Sequence, residues 1–168
     1  MNQSCQQLIQ TLDQLISVYR HLLDLVRKEK EALTSAQMDQ LGELNKSKEK
    51  MVVKIKELEL SWMDQADKLA KALNISDSKP SLKDLAMAVG GKQGEKLQSQ
   101  RQVLNMLVTR LAELNKKNEA LVQSALSHIN GAMQAITDFL KPNKTYKSQG
   151  KIRGDSDGAS GRLIAKEV

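Results

Sequence analysis

The side chains able to do chemistry in this 168-residue chain are few and poorly spaced for it. His21 and His128 have no second ligand at a metal-binding spacing. His128 also falls on an apolar stripe, where a partly buried histidine with an ordinary hydrogen bond is expected. Cys5 is the single cysteine, so neither an intramolecular disulfide framework nor a multi-cysteine zinc site can form. The run Gly90-Gly91-Lys92-Gln93-Gly94 lacks the preceding strand and the G-K-[ST] ending with which a phosphate loop holds a nucleotide. The acids are scattered along what should be solvated helix faces, and no Ser–His–acid order emerges. These residues imply no catalysis, no metal and no cofactor.

The polar residues that do stand out interrupt apolar rows. Asn115 and Asn118 lie within Leu114–Val122, on or beside a helical seam. A polar residue there usually sets register or oligomeric state at some cost in stability, and the same physics serves pairing with a partner helix. Met106 and Met133 are expected mostly as core filling, though their flexibility would also suit a surface that repacks around more than one partner.

Composition narrows the elements that position these residues. Hydrophobic residues make up 40%, charged residues 27% and aromatics 2%, with only two prolines. That is a composition of long helices, not of a sandwich or barrel. No run approaches the roughly 20 apolar residues that span a membrane, which excludes insertion. The start MNQSCQQLIQ has no basic region followed by an apolar core, so a cytoplasmic location is expected. The net charge of +6 is uneven: residues 141–168 hold seven Lys or Arg against three acids. Such a tail suits an acidic or anionic partner. The scarcity of aromatics argues against stacking on single-stranded nucleic acid, and no nucleic-acid partner is expected.

Periodicity then lays out the chain. Leu8, Leu12, Leu15, Tyr19, Leu22 and Val26 alternate in steps of four and three; Glu29 falls on the next position, and Leu33 follows. Ile9, Ile16 and Leu23 widen this seam. The spacing predicts a helix over 4–33. A second, over 37–72, carries Leu41, Leu44, Lys48, Met51, Ile55, Leu58, Trp62, Gln65 and Leu69 in the same rhythm. Thr34 or Ser35 is the expected N-cap of that second helix, with Thr34 and Gln37 at capping-box spacing. The join has no glycine. An antiparallel hairpin is the favoured reading, and a continuous bent helix stays open. Residues 74–80 read as a loop. Ser81 should cap a short helix through Val89, ended by Gly90-Gly91. The last helix, about 93–140, carries a stripe wider than one neighbour needs, and Pro142 stops it. The expected architecture is all-α: an elongated antiparallel hairpin plus one long C-terminal helix, a coiled-coil-like three-helix bundle over 1–142. A flexible, basic, Gly-rich tail over 143–168 should follow.

Four features together resemble the FlgN family of flagellar type III export chaperones, which serve the hook–filament junction proteins. They are the Lys-rich start of the second helix, Leu41–Lys50; the short helix with Leu82-Lys83-Asp84-Leu85-Ala86; the L-N-x-x-N-x-x-L pattern from Leu114 to Leu121; and Tyr146-Lys147-Ser148-Gln149-Gly150 after the last helix. The resemblance implies a non-enzymatic chaperone that holds an aggregation-prone C-terminal helix of its cargo and docks at the export gate. It also implies that a tyrosine after the last helix takes part in docking, and Tyr146 is the residue here that matches.

On this reading Leu121, Val122, Ala125, Ile129, Met133, Ile136 and Leu140 are the candidate cargo-binding residues, and Tyr146 is the candidate gate-docking residue. The expected partners are hook–filament junction proteins and the flagellar export gate. The competing reading is a structural coiled coil that self-associates through the same stripes.

Overall fold

Apolar residues recurring in steps of three and four give each helix one inner face, and the helices assemble by burying those faces. The computed structural model describes residues 2–75 and 81–140. Among these residues there are four helices and no strand: α1 (Asn2–Thr34), α2 (Met38–Ala72), α3 (Leu82–Val89) and α4 (Gly91–Leu140). The all-α expectation holds. The chain divides into two compact units, Met1–Ser127 and His128–Val168. The described part of the second unit is the helical stretch 128–140.

In the first unit α1 and α2 form an antiparallel hairpin. Glu29 pairs with Lys48 near the turn and Tyr19 with Glu59 further along, so numbers rise on one helix as they fall on the other. The turn is made without glycine. Ala36 takes the left-handed conformation at φ 55°, and the Gln37 N–H reaches back to the Ala32 carbonyl at 2.9 Å. This is a Schellman-type ending whose αL position costs an alanine about 1 kcal/mol. Asn74 at φ 54° ends α2 in the same way, with the Ile75 N–H bonded to the Ala70 carbonyl at 3.0 Å.

The caps at this turn differ from the sequence expectation. The Thr34 and Ser35 hydroxyls do not cap α2; they donate back to the Lys30 and Glu31 carbonyls of α1, both at 2.7 Å. Gln37 occupies the N-cap of α2 and makes no side-chain cap bond. A hydroxyl at the end of one helix has free carbonyls four residues behind it as well as free N–H groups ahead, and here the carbonyls win. Ser81 does behave as expected. Its hydroxyl accepts from the Asp84 N–H at 3.3 Å, while the Asp84 carboxylate accepts from the Ser81 N–H at 3.1 Å, a complete capping box. The Ser81 hydroxyl and backbone bonds hold the Asp84 carboxyl below the usual carboxylate range.

The main core lies inside this unit. Leu8, Leu12, Leu15, Leu22 and Val26 of α1 meet Ile55, Leu58, Ala66 and Leu69 of α2, and Leu85 of α3 and Leu97 of α4 close one end. A second, smaller cluster joins Ile16 and Leu23 of α1 to Leu107 of α4. Ile16 and Leu23, two of the residues that widen the α1 seam, therefore face α4.

Gly90 and Gly91 sit at positive φ, 64° and 53°, and let the chain fold from α3 straight into α4, which starts two residues earlier than expected. Three residues on, Gly94 lies against α3. A Cβ there would fall far inside contact distance of the Ala86 carbonyl oxygen, which is backbone and cannot swing away. Gly94→Ala should lower stability by roughly 1–3 kcal/mol, the cost of overpacking a close approach, despite alanine's better helix propensity. Urea unfolding followed by circular dichroism reads this directly.

Candidate partner-binding surface

The register of α4 on the hairpin is set by two side-chain amides. Gln100, 2% exposed, donates from Nε2 to the Ile9 carbonyl at 2.9 Å and to Asp13 Oδ1 at 2.7 Å. Lys96 adds an ion pair to Asp13 at 3.3 Å. Five turns later Asn118, 4% exposed, donates from Nδ2 to the Val26 carbonyl at 3.0 Å and to Glu29 Oε2 at 2.9 Å. The order of these partners shows that α4 runs parallel to α1 through the first unit. The other carboxylate oxygen of Glu29 accepts from Lys48 Nζ of α2 at 2.6 Å. Glu29, Lys48 and Asn118, which each interrupt an apolar row of their own helix, thus form one polar layer across three helices. Asn118 is the register residue; Asn115 is exposed.

Tyr19 and Glu59 form a second polar contact between α1 and α2, with the phenol donating at 3.1 Å. Burial, then the charge and hydrogen bond of Glu59, push the Tyr19 phenol up to about 12, so it stays a neutral donor well above neutral pH. This pair lines a groove walled also by Trp62, Leu82, Leu104 and Val108. Cys5 is buried in the core, which pushes its thiol up and away from thiolate chemistry.

After Asn118 the character of α4 changes. None of residues 119–140 is buried. In the first unit this places Leu121, Val122 and Ala125 at the surface, with Leu126 beside them. In the second unit Ile129, Met133, Ile136 and Leu140 are exposed at 57%, 60%, 55% and 73%, and Phe139 at 88%. At about 100° per residue Leu121, Val122, Ala125 and Leu126 fall on one side of their stretch of α4, and Ile129, Met133, Ile136, Phe139 and Leu140 fall on one side of theirs. Leu126 was not among the seven candidate residues because it falls one position off the seam spacing, and its exposure adds it. His128 is also exposed, which corrects the expectation of a partly buried histidine. The heptad rhythm continues past the last buried residue, and rhythm alone does not reveal where burial stops. Tyr146 lies outside the described residues.

Among the described residues no group of three or more His, Cys, Asp or Glu side chains could hold a metal ion. No described helix is long and apolar enough to cross a membrane. Large apolar side chains grouped on an exposed helix face are the kind of surface by which partner helices are bound. The FlgN family model, described as FlgN protein, matches residues 1–154, and the chain belongs to this family of flagellar export chaperones. The family is one of chaperones and not of enzymes, and its members bind flagellar proteins. Residues 155–168 lie beyond the match. No curated protein and no solved structure matches the chain.

If the Asn118 layer fixes register, two substitutions should separate stability from specificity. Asn118→Ala leaves polar groups without their partner and should cost about 1–3 kcal/mol in urea unfolding. Asn118→Leu should cost less, because an apolar residue packs at the seam, but should yield mixed oligomers in sedimentation velocity where the parent chain gives one species.

Proposed function

We propose that this chaperone holds the C-terminal helical region of hook–filament junction proteins on the exposed face of α4, prevents its premature assembly in the cytoplasm, and delivers it to the flagellar export gate. The observation that carries this reading is the exposed apolar row, Leu121, Val122, Ala125, Ile129, Met133, Ile136 and Leu140, on the helix of a protein whose family binds flagellar cargo. Helix-in-groove recognition needs apolar anchors at such spacing. Ile129→Glu and Ile136→Glu should each abolish binding of a junction protein's C-terminal segment in calorimetry. Circular dichroism and melting temperature should stay unchanged, because both side chains are exposed. Unfolding of the variants would make the face core and remove the proposal. Loss of self-association in place of cargo binding would favour the structural coiled coil.

Tyr146 is proposed as the contact to the export gate. It follows Pro142 in sequence, off the α4 row, with Lys144, Lys147 and Lys151 around it. An aromatic anchor among lysines suits an acidic surface and gives a salt-sensitive contact. Tyr146→Ala should leave cargo affinity unchanged and weaken gate binding by roughly 1–3 kcal/mol, measured as two affinities on one variant. Loss of cargo binding with intact gate binding would reverse the assignment.

A further inference from the structure

The exposed part of α4 differs from the rest of the chain in charge. Between Glu119 and Asp138, eighteen consecutive residues contain no Asp, Glu, Lys or Arg, in a chain that is 27% charged. The preceding part of the same helix, Gly91 to Glu119, carries nine charges. All eighteen residues are exposed, so burial is not the reason.

The flanks of the apolar row sharpen the contrast. Gln123, Asn130 and Thr137 recur every seven residues along one edge, and His128 and Ala135 lie along the other. Helices that pair usually place Glu and Lys at such edges, where they bridge to the neighbour. This chain does so between α1 and α2, through Glu29 with Lys48, and between α1 and α4, through Asp13 with Lys96. Ser, Asn, Thr and Gly are also weaker helix formers than Glu or Lys, so the uncharged stretch carries a cost in local stability.

We infer that this face selects a partner helix of about five turns whose own flanks are uncharged amides and hydroxyls, and discriminates against helices with charged flanks. The inference rests on the proposed cargo role of the α4 row and specifies the chemistry of its partner. A charged flank laid beside Gln123, Asn130 and Thr137 loses hydration and finds no opposite charge to restore it. An amide or hydroxyl flank exchanges its water for hydrogen bonds to those side chains. Rejection of charged flanks is then a specificity device, and it also disfavours pairing of this face with the charged hairpin helices of a second copy.

The test uses the full chain and two synthetic helical peptides of about eighteen residues. They share one Leu/Ile/Ala seam; one has Gln, Asn and Ser flanks, the other Glu flanks. The uncharged-flank peptide should bind at least about tenfold more tightly, with less than about a twofold change between roughly 0.05 and 0.5 M salt, and Ile129→Glu should abolish its binding. Gln123→Lys combined with Asn130→Lys should raise affinity for the Glu-flanked peptide and make it salt-dependent. Equal binding of both peptides, each lost in Ile129→Glu, would overturn the flank selection and leave the cargo role of the row standing. Binding of either peptide that survives Ile129→Glu would overturn the row as the binding site, and the cargo reading with it. Binding of neither peptide, with sedimentation showing self-association that Ile129→Glu disperses, would make a second copy the occupant and overturn the inference.

Discussion

The contact on which this fold depends is the one between the Asn118 amide and the Val26 carbonyl with Glu29 beside it. Apolar stripes on three helices can slide past one another by a heptad at little cost, because every step presents similar leucines. A buried amide cannot slide. Moved by one turn, it leaves its own N–H groups, the Val26 carbonyl and Glu29 Oε2 without the bonds they share, at about 1–3 kcal/mol. Glu29 also holds Lys48, so one carboxylate ties the offset of the hairpin to the offset of α4. Gln100 repeats the device near the other end, and two such points define both direction and register.

Asn118 is also the last buried residue of α4. Up to it, the helix has a neighbour and spends its apolar residues on the hairpin. After it, the apolar residues continue but are exposed. A helix built only for stability would end its stripe where its packing ends. On the proposed function, the continuation is the apolar row that a partner helix covers.

Much of this was legible in the sequence. The helix limits were readable to within a few residues because the three–four rhythm repeats over many turns and glycine or proline marks the breaks. Ser81 and Asp84 were readable as a cap because α2 ends at Ala72, nine residues before Ser81, so the carbonyls of its last turn do not compete for the hydroxyl. Thr34 and Ser35 were misread because α1 offers its own carbonyls at that point. Glu29, Lys48 and Asn118 were each visible as an interruption. That the three meet was not, since pairing depends on the offset between helices, and the turn at Ala36 sets that offset through a backbone conformation alanine rarely adopts. The exposure of His128 was equally out of reach, because periodicity belongs to the helix and burial to its neighbours. The uncharged run from residue 120 to 137 needed only counting.

The central claim is that α4 packs up to Asn118 and binds cargo beyond it. Amide hydrogen exchange on the full chain, with and without a junction protein's C-terminal segment, tests this most directly. The account predicts that residues 119–140 exchange readily in the free protein and slow by at least about tenfold in the complex, while the core amides of α1 and α2 change little. Protection that rises on the hairpin while residues 119–140 stay unchanged would contradict it.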